Sequence, residues 1–165
     1  MVPEFRTGRR RVGWLLCICI AAPLFASGAT EVAGKLPAGF PESKLEIRTA
    51  KGKHWFKIQI ADTPARQEQG LMFVRNLPAS QGMLFPQSQP RMIAMWMKNT
   101  LIPLDMLFID ARGRIVCLRE RAVPQSEDLI TCDQPAKAVL EIGGGEATRR
   151  GISVGDIVVH QSLTQ

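Results

Sequence analysis

Between residues 44 and 162 the chain is cut by Gly and Pro into short apolar or alternating segments, and this pattern most constrains the fold. Two of these segments, Leu45–Thr49 and Trp55–Ile60, alternate apolar and polar residues on either side of a short turn, which predicts a β-hairpin. Short helices are expected after Thr63-Pro64 and over Glu146–Arg150. The remaining predicted strands are Gly82–Phe85, Met92–Met97, Leu104–Ile109, Arg114–Leu118, Ala138–Ile142 and Ile157–His160. The pattern predicts a small, mainly β domain with two short helices, either a β-sandwich or a partly open barrel.

The first 29 residues have the pattern of a cleavable signal peptide. Arg9–Arg11 precede an uncharged apolar run, Val12–Phe25, and the small residues Ser27–Ala29 supply a cleavage site. The run has about 14 residues, fewer than the roughly 20 that cross a bilayer as a helix. Residues 30–43 contain Pro and Gly without periodicity and are expected to form a flexible tether before a single domain over 44–162. The sequence predicts a periplasmic or secreted protein, free of the membrane after cleavage. An uncleaved anchor and twin-arginine export are the alternatives.

The charge balance of the predicted mature chain argues against nucleic-acid binding. The whole chain has 21 basic and 15 acidic residues, of which four Arg and one Glu lie in the first 29 positions. The remainder therefore has 17 basic and 14 acidic residues, a net charge of +3. No run of Lys or Arg interleaved with aromatic residues follows residue 30, so no nucleic-acid partner is expected.

Two cysteines would remain after signal cleavage, Cys117 and Cys132. A pair of cysteines in an oxidising compartment often forms a disulfide. Cys117 ends an apolar run and Cys132 follows a polar loop, so the two could face each other across neighbouring strands. A disulfide is predicted, with two buried, reduced cysteines as the alternative.

The methionines raise the possibility of a copper or redox accessory protein, because thioethers are good ligands for Cu(I). On a strand, however, Met95 and Met97 would share a face and Met92 would point the other way, which favours a core role. The prediction is therefore that the protein has no metal site and no cofactor. Six of the seven methionines lie after the signal segment, at positions 72, 83, 92, 95, 97 and 106.

Residues suited to acid–base or nucleophilic catalysis are few. The chain has two histidines, His54 and His160, and no tyrosine, and no Gly-x-Ser-x-Gly motif is present. A hydrolase acting on envelope glycans would need a pair of carboxyl groups about 5–9 Å apart. Its candidates are Asp105, Glu141 and Asp156. Enzymatic activity is left open, and a non-enzymatic function is favoured.

The block from Trp96 to Asp105 places Lys98, Asn99 and Asp105 in an otherwise apolar stretch. A buried polar side chain costs about 1–3 kcal/mol unless it is hydrogen-bonded, so these groups need partners. In a purely structural interpretation, Asn99 bonds the backbone of an irregular turn and Lys98 pairs with Asp105 or Glu141. In a functional interpretation, Trp96 is the platform of a shallow pocket, with Asn99 and Asp105 as polar anchors. The ligand-binding candidates are Trp96, Lys98, Asn99, Asp105 and Glu141.

Six sequence blocks together resemble the Domain of Unknown Function 192 (DUF192) family. The resemblance covers residues 45–160 and implies a compact, jelly-roll-like β fold found in bacterial and archaeal proteins that are often exported. It implies no reaction and no binding residues. One departure is Val74, which precedes Arg75 where family members often place Arg directly after the aromatic residue. The blocks are Gly70–Met72, Gly82–Phe85, Trp96–Asp105, Phe108–Asp110, Val139–Glu141 and Gly151–Asp156.

The function itself stays undetermined at this level. The leading hypothesis is a non-enzymatic periplasmic binding or interaction domain whose working surface lies near Trp96–Asp105. The expected partner is a small molecule, a glycan or another periplasmic protein.

Overall fold

The structure is a computed structural model that describes residue 1 and residues 36–163. All described elements belong to one unit, residues 32–165. The predicted signal peptide and the first part of the predicted tether lie outside the described residues. Phe40 is buried and the first strand begins at Glu42, so the folded domain starts a few residues before the expected Lys44.

The described residues form nine strands, two α-helices and a final 3-10 turn over Gln161–Leu163. The helices are α1, Pro64–Gln69, and α2, Glu146–Arg150. The strands are β1, Glu42–Thr49; β2, Gly52–Ile60; β3, Gln81–Arg91; β4, Ala94–Met95; β5, Leu104–Ile109; β6, Ile115–Ala122; β7, Ile130–Thr131; β8, Ala136–Gly143; and β9, Ile157–Val159. The predicted mainly β class with two short helices is confirmed.

Seven strands form one mixed sheet in the order β6-β5-β8-β3-β2-β1-β9. Strands β2 and β3 are parallel, joined through α1, and the other neighbours are antiparallel. The sheet is not closed into a barrel, but its two edges meet at one corner. There the Ile115 N–H donates to the Asp156 carbonyl at 2.9 Å and the Val158 N–H donates to the Gly113 carbonyl at 2.7 Å. This arrangement corresponds to the partly open barrel expected from the sequence.

The central strands β3, β5 and β8 are buried on both faces because side chains alternate along a strand and each face carries its own apolar cluster. The cluster on the inner, concave face includes Leu84, Leu107 and Leu140. The cluster on the outer face includes Phe85, Phe108 and Val139, the sequence neighbours of those residues. Every residue of β5 is buried. The outer cluster must be shielded from water. The irregular segments around α1 and β4 lie over it and contribute apolar residues to the cluster.

Both helix boundaries follow from local residue types. The Thr63 hydroxyl accepts a hydrogen bond from the Arg66 N–H at 3.3 Å, Pro64 occupies the first turn, and Gly70 ends α1. Helix α2 ends at Gly151, whose φ of 66° lies in the left-handed region that Gly adopts without strain. These ends agree with the sequence prediction.

The predicted strand over Met92–Met97, buried on both faces, is wrong. Only Ala94 and Met95 are in a strand, β4, which pairs with β7 in a separate two-stranded sheet. Met92 and Trp96 are exposed, and Met97 is buried in the outer cluster. The apolar run therefore lies over the outer face of the main sheet instead of joining it. The stretch between Leu118 and Ala138, where no strand is predicted, also contains the end of β6 and all of β7.

The predicted disulfide between Cys117 and Cys132 is present, with the two Cα atoms 6.0 Å apart. It joins β6 to the residue that follows β7. Closing a loop of about 15 residues is expected to contribute about 3 kcal/mol to stability on the chain-entropy model. Within residues 36–163, no helix is long and apolar enough to cross a membrane.

Candidate functional site

A cavity of about 130 Å³ opens on the outer face of the sheet, between α1, the end of β3 and the segment around β4. Its buried lining residues come from the outer cluster and the central strands, and they include Leu71, Phe85, Ile93 and Glu141. Most of its more exposed lining residues are polar, charged or aromatic. They include Gln67, Glu68, Arg91, Trp96 and Lys98. An apolar interior with a few converging polar groups is the usual composition of a small-molecule site.

Glu141 is the one carboxyl group in the buried part of this lining. It lies on β8, where the strand register places it between Met83 of β3 and Met106 of β5. The residue is 4% exposed, and no described residue gives its carboxyl group a hydrogen bond or an ion pair. Burial raises the pKa of Glu141 to about 8. The side chain is therefore mostly protonated at neutral pH.

Trp96 and Lys98 form the aromatic and cationic side of the cavity. The Lys98 ammonium lies 5.2 Å from the centre of the Trp96 ring, within the range of a cation–π contact. Lys98 also approaches the exposed carboxylate of Glu127, at 3.9 Å. The structure thus pairs Lys98 with Glu127, and the expected pairing with Asp105 or Glu141 is wrong. Since Trp96 is 42% exposed, part of its ring is available to a bound molecule.

Asn99 lines a second, open cavity of about 410 Å³ that adjoins the cavity of about 130 Å³ at its open side. Trp96 and Lys98 line both cavities. The φ of 55° at Asn99 and the φ of 63° at Phe73 are both left-handed. Asn adopts this conformation readily, whereas it strains a bulky residue such as Phe73. The Phe73 N–H donates to the Asn99 carbonyl at 2.9 Å, and this bond holds the two segments together. The Asn99 amide also contacts the Met72 sulfur at 3.8 Å. The bond to Phe73 is made by the backbone of Asn99 and the side chain contacts a sulfur, so the expected hydrogen bond from the Asn99 side chain to the backbone of a turn is not among the described contacts.

Asp105 does not line either cavity. It is fully buried on β5, on the sheet face opposite to that of Glu141, because residue 105 is offset by one from Leu104 and Met106 of the outer cluster. Its carboxylate accepts hydrogen bonds from the backbone N–H groups of Arg121 at 2.8 Å, Gly145 at 2.9 Å and Ala147 at 2.8 Å. Asp105 therefore holds the backbone at the start of α2 in place.

The three carboxylates proposed for hydrolysis are not brought together. Asp105 and Glu141 point to opposite faces of the sheet. Asp156 accepts the Ser153 N–H at 2.8 Å in the exposed turn before β9. Each of the three has a separate local environment.

The methionines of the Met92–Met97 run also separate. Met92 is exposed, Met97 is fully buried, and Met95 lines the cavity together with Met72. Residues 36–163 contain no group of three or more His, Cys, Asp and Glu side chains that could hold a metal ion. The core role expected for this run is confirmed for Met97 and wrong for Met92.

Four of the five candidates from the sequence thus lie at two adjoining cavities: Trp96, Lys98, Asn99 and Glu141. The sequence did not indicate the opposite wall, which Gln67 and Glu68 of α1 and Arg91 at the end of β3 provide. No motif marks these residues. The crossover of α1 between β2 and β3 brings Gln67 and Glu68 to the cavity, and the far end of β3 brings Arg91.

Comparison with known proteins places the chain among uncharacterised relatives. The family model described as Uncharacterized ACR, COG1430 (DUF192) matches residues 46–160. No curated protein matches the chain.

Two solved structures are similar over most of the chain. One, from Sinorhizobium meliloti 1021, is described as a "putative transcription regulator". It is 38% identical with a TM-score of 0.74, over 76% of this chain and 98% of that one. The other is a protein of unknown function from Novosphingobium aromaticivorans DSM 12444. It is 36% identical with a TM-score of 0.73, over 79% of this chain and 94% of that one. On the extent of the family match, the chain belongs to the DUF192 family.

Proposed function

We propose that this domain is an exported, non-enzymatic binding protein that holds a small polar organic molecule in the cavity lined by Glu141 and Trp96. The observation that carries the proposal is the carboxyl group of Glu141, which is buried, faces the cavity and has no partner among the described residues. Functional sites are where such unsatisfied, pKa-shifted groups concentrate.

The free-energy cost of Glu141 supports a role in binding. A pKa raised from 4.5 to about 8 corresponds to about 5 kcal/mol by which the folded state disfavours the ionised form. Since the group is mostly protonated at neutral pH, the cost there is that of keeping the proton above its usual pKa, about 3 kcal/mol. Between Met83 and Met106, an apolar residue of similar size would avoid this cost. A bound molecule that hydrogen-bonds the carboxyl group would supply the missing partner.

The size of the cavity and the position of Trp96 limit the ligand. A volume of about 130 Å³ is close to that of an engineered cavity of about 150 Å³ that binds benzene. The buried part therefore suits a ring or a short chain of about six to nine non-hydrogen atoms. The partly exposed Trp96 ring provides a stacking surface for it.

Export is supported by two independent features. The N-terminal 29 residues have the charged, apolar and small-residue regions of a signal peptide in the expected order. The Cys117–Cys132 disulfide is the kind of bond that persists in oxidising compartments.

The binding proposal is tested by thermal shift and calorimetry with small organic acids, amides, amines and saccharides. A ligand at 100 times its dissociation constant is expected to raise the stability by about 2.7 kcal/mol. The variant Trp96→Ala is expected to weaken binding about tenfold, the loss of about 1.4 kcal/mol of contact. The matched control is Trp55→Ala, which removes an exposed tryptophan from β2, outside both cavities. Lack of stabilisation by every class, or equal effects of the two variants, would refute the proposal.

A hydrolytic function has one observation in its favour, namely that Glu68 lines the same cavity as the protonated Glu141. Glycosidases use a pair of carboxyl groups that flank the bond they cleave. Cleavage of an envelope oligosaccharide that disappears in both Glu68→Gln and Glu141→Gln would replace the binding proposal by this one.

A further inference from the structure

The charged groups at the cavity are unevenly distributed between its mouth and its interior. Arg91, Lys98 and Glu68 belong to the exposed or half-exposed lining, and Glu141 belongs to the buried lining. The Arg91 Nε atom donates to the Gln87 side chain at 2.9 Å, which leaves the terminal guanidinium nitrogens for other acceptors. The contact of Lys98 with Glu127, at 3.9 Å and with Glu127 67% exposed, is weak. The Arg91 guanidinium and the Lys98 ammonium can therefore bind a ligand with little loss of existing interactions.

The sum of these charges distinguishes between classes of ligand. With Glu141 neutral, the lining carries two positive charges and one negative charge, a net of +1. A cationic ligand would have to ionise Glu141 in its buried position and approach two like charges at the mouth. An anionic ligand meets two cations there and a hydrogen-bond donor inside.

We propose that the ligand is a small organic acid, whose carboxylate is bound by Lys98 and Arg91 while the Glu141 carboxyl group hydrogen-bonds a polar group at its other end. This inference rests on the proposed binding function and specifies its ligand class. The guanidinium of Arg91 can bind a carboxylate through two parallel hydrogen bonds, and Lys98 adds a point charge.

The arrangement gives binding a defined pH dependence. Glu141 faces Met83 and Met106 on the adjacent strands, which do not titrate. The charged groups that share its cavity are Glu68 from α1, Arg91 from β3 and Lys98. Of the carboxyl groups in this set, Glu141 has its pKa raised to about 8. Below that pH it donates a hydrogen bond, and above it a second negative charge opposes the anion. The affinity is expected to fall about tenfold per pH unit well above pH 8.

The test uses three probes that share one ring and differ in charge: benzoate, benzamide and benzylamine. Their binding to the full-length protein is measured by calorimetry and ligand-observed NMR at concentrations up to about 10 mM, which covers binding free energies down to about 2.7 kcal/mol. At pH 6.5, benzoate is expected to bind at least tenfold more tightly than the other two. The variant Lys98→Gln is expected to remove most of this difference. Lys57→Gln, at a lysine of β2 paired with Glu42, is the matched control and leaves the difference intact.

Each outcome separates the ligand class from the binding function itself. Equal binding of the three probes at the cavity, or a preference for benzylamine, would overturn the organic-acid inference and leave the proposed binding function standing. Binding of none of them would overturn the organic-acid inference, and the proposed binding function fails as well only when the saccharides and other classes of the thermal-shift panel give no stabilisation either. The role given to Glu141 is tested with 4-carbamoylbenzoate, which adds an amide at the end opposite the carboxylate and does not titrate between pH 6.5 and 9.5. An affinity for it that stays constant over this range in the wild type would exclude that role. The variant Glu141→Gln should show that constancy.

Discussion

Replacing Asp105 should destabilise the domain without changing the cavity, because its carboxylate holds backbone groups on the opposite face of the sheet from Glu141. The side chain is fully buried and accepts hydrogen bonds from Arg121, Gly145 and Ala147. In Asp105→Ala these three N–H groups lose their acceptor. In Asp105→Asn one side-chain oxygen remains, and the new amide group faces a donor where the second oxygen accepted one.

The expected loss in the free energy of unfolding follows from the number of N–H groups left without an acceptor. Each unsatisfied buried donor costs about 1–3 kcal/mol. The bond from Ala147 is buried and those from Arg121 and Gly145 are partly buried, so Asp105→Ala is expected to lose about 3 kcal/mol. Asp105→Asn retains an acceptor for two of the three donors and is expected to lose about 1–3 kcal/mol. Against a total stability of about 5–15 kcal/mol for a typical domain, both losses are large.

Urea denaturation followed by circular dichroism gives the free energy of unfolding for both variants. The control is Asp156→Asn, at a carboxylate that accepts the Ser153 N–H in an exposed turn, where a loss below about 1 kcal/mol is expected. A midpoint for Asp105→Ala equal to that of Asp156→Asn would refute the role assigned to Asp105. Loss of ligand binding in a fully folded Asp105→Asn would refute its separation from the site.

Two further predictions concern stability. Because burial raises the pKa of Glu141 from 4.5 to about 8, the unfolded chain binds the proton less tightly. The wild type should therefore lose stability as the pH rises from about 4.5 to 8, by up to about 5 kcal/mol relative to Glu141→Gln. Urea midpoints of the two proteins at pH 5 and pH 8.5 measure this, and parallel pH profiles would contradict it. Replacing both Cys117 and Cys132 by Ser should lower the free energy of unfolding by about 3 kcal/mol. The reduced wild type should match the double variant, and an unchanged midpoint would show that the disulfide adds no stability.

The parts of the fold that the sequence predicted are those where residue types leave few local choices. Thr63-Pro64 and Gly151 define helix ends, and Asp110 shapes the turn between β5 and β6 by accepting the N–H groups of Arg112 and Arg114, both at 2.8 Å. The predicted strand over Met92–Met97 is wrong because a short apolar run does not distinguish a buried strand from an irregular segment that covers a sheet. The parallel pairing of β2 with β3 depends on contacts distant in sequence, and no local pattern encodes it.

The candidate site was predictable to the extent that polar residues stood out in apolar surroundings. This signal led to Trp96, Lys98, Asn99 and Glu141, which the fold brings to two adjoining cavities. The same signal included Asp105, because a buried carboxylate that serves the backbone and one that faces a cavity look alike in sequence. The wall formed by α1 and Arg91 carried no signal, since exposed polar residues are ordinary on any surface.

The disulfide has a consequence for the cavity as well as for stability. Ala94 and Met95 line the cavity and pair with Thr131 and Ile130 of β7, and the next residue is the bonded Cys132. Oxidation of two thiols thus attaches one wall of the cavity to β6. By thermodynamic reciprocity, a ligand that binds the oxidised form more tightly must favour disulfide formation by the same factor. For such a ligand, the affinity of the cavity and the stability of the disulfide would rise together.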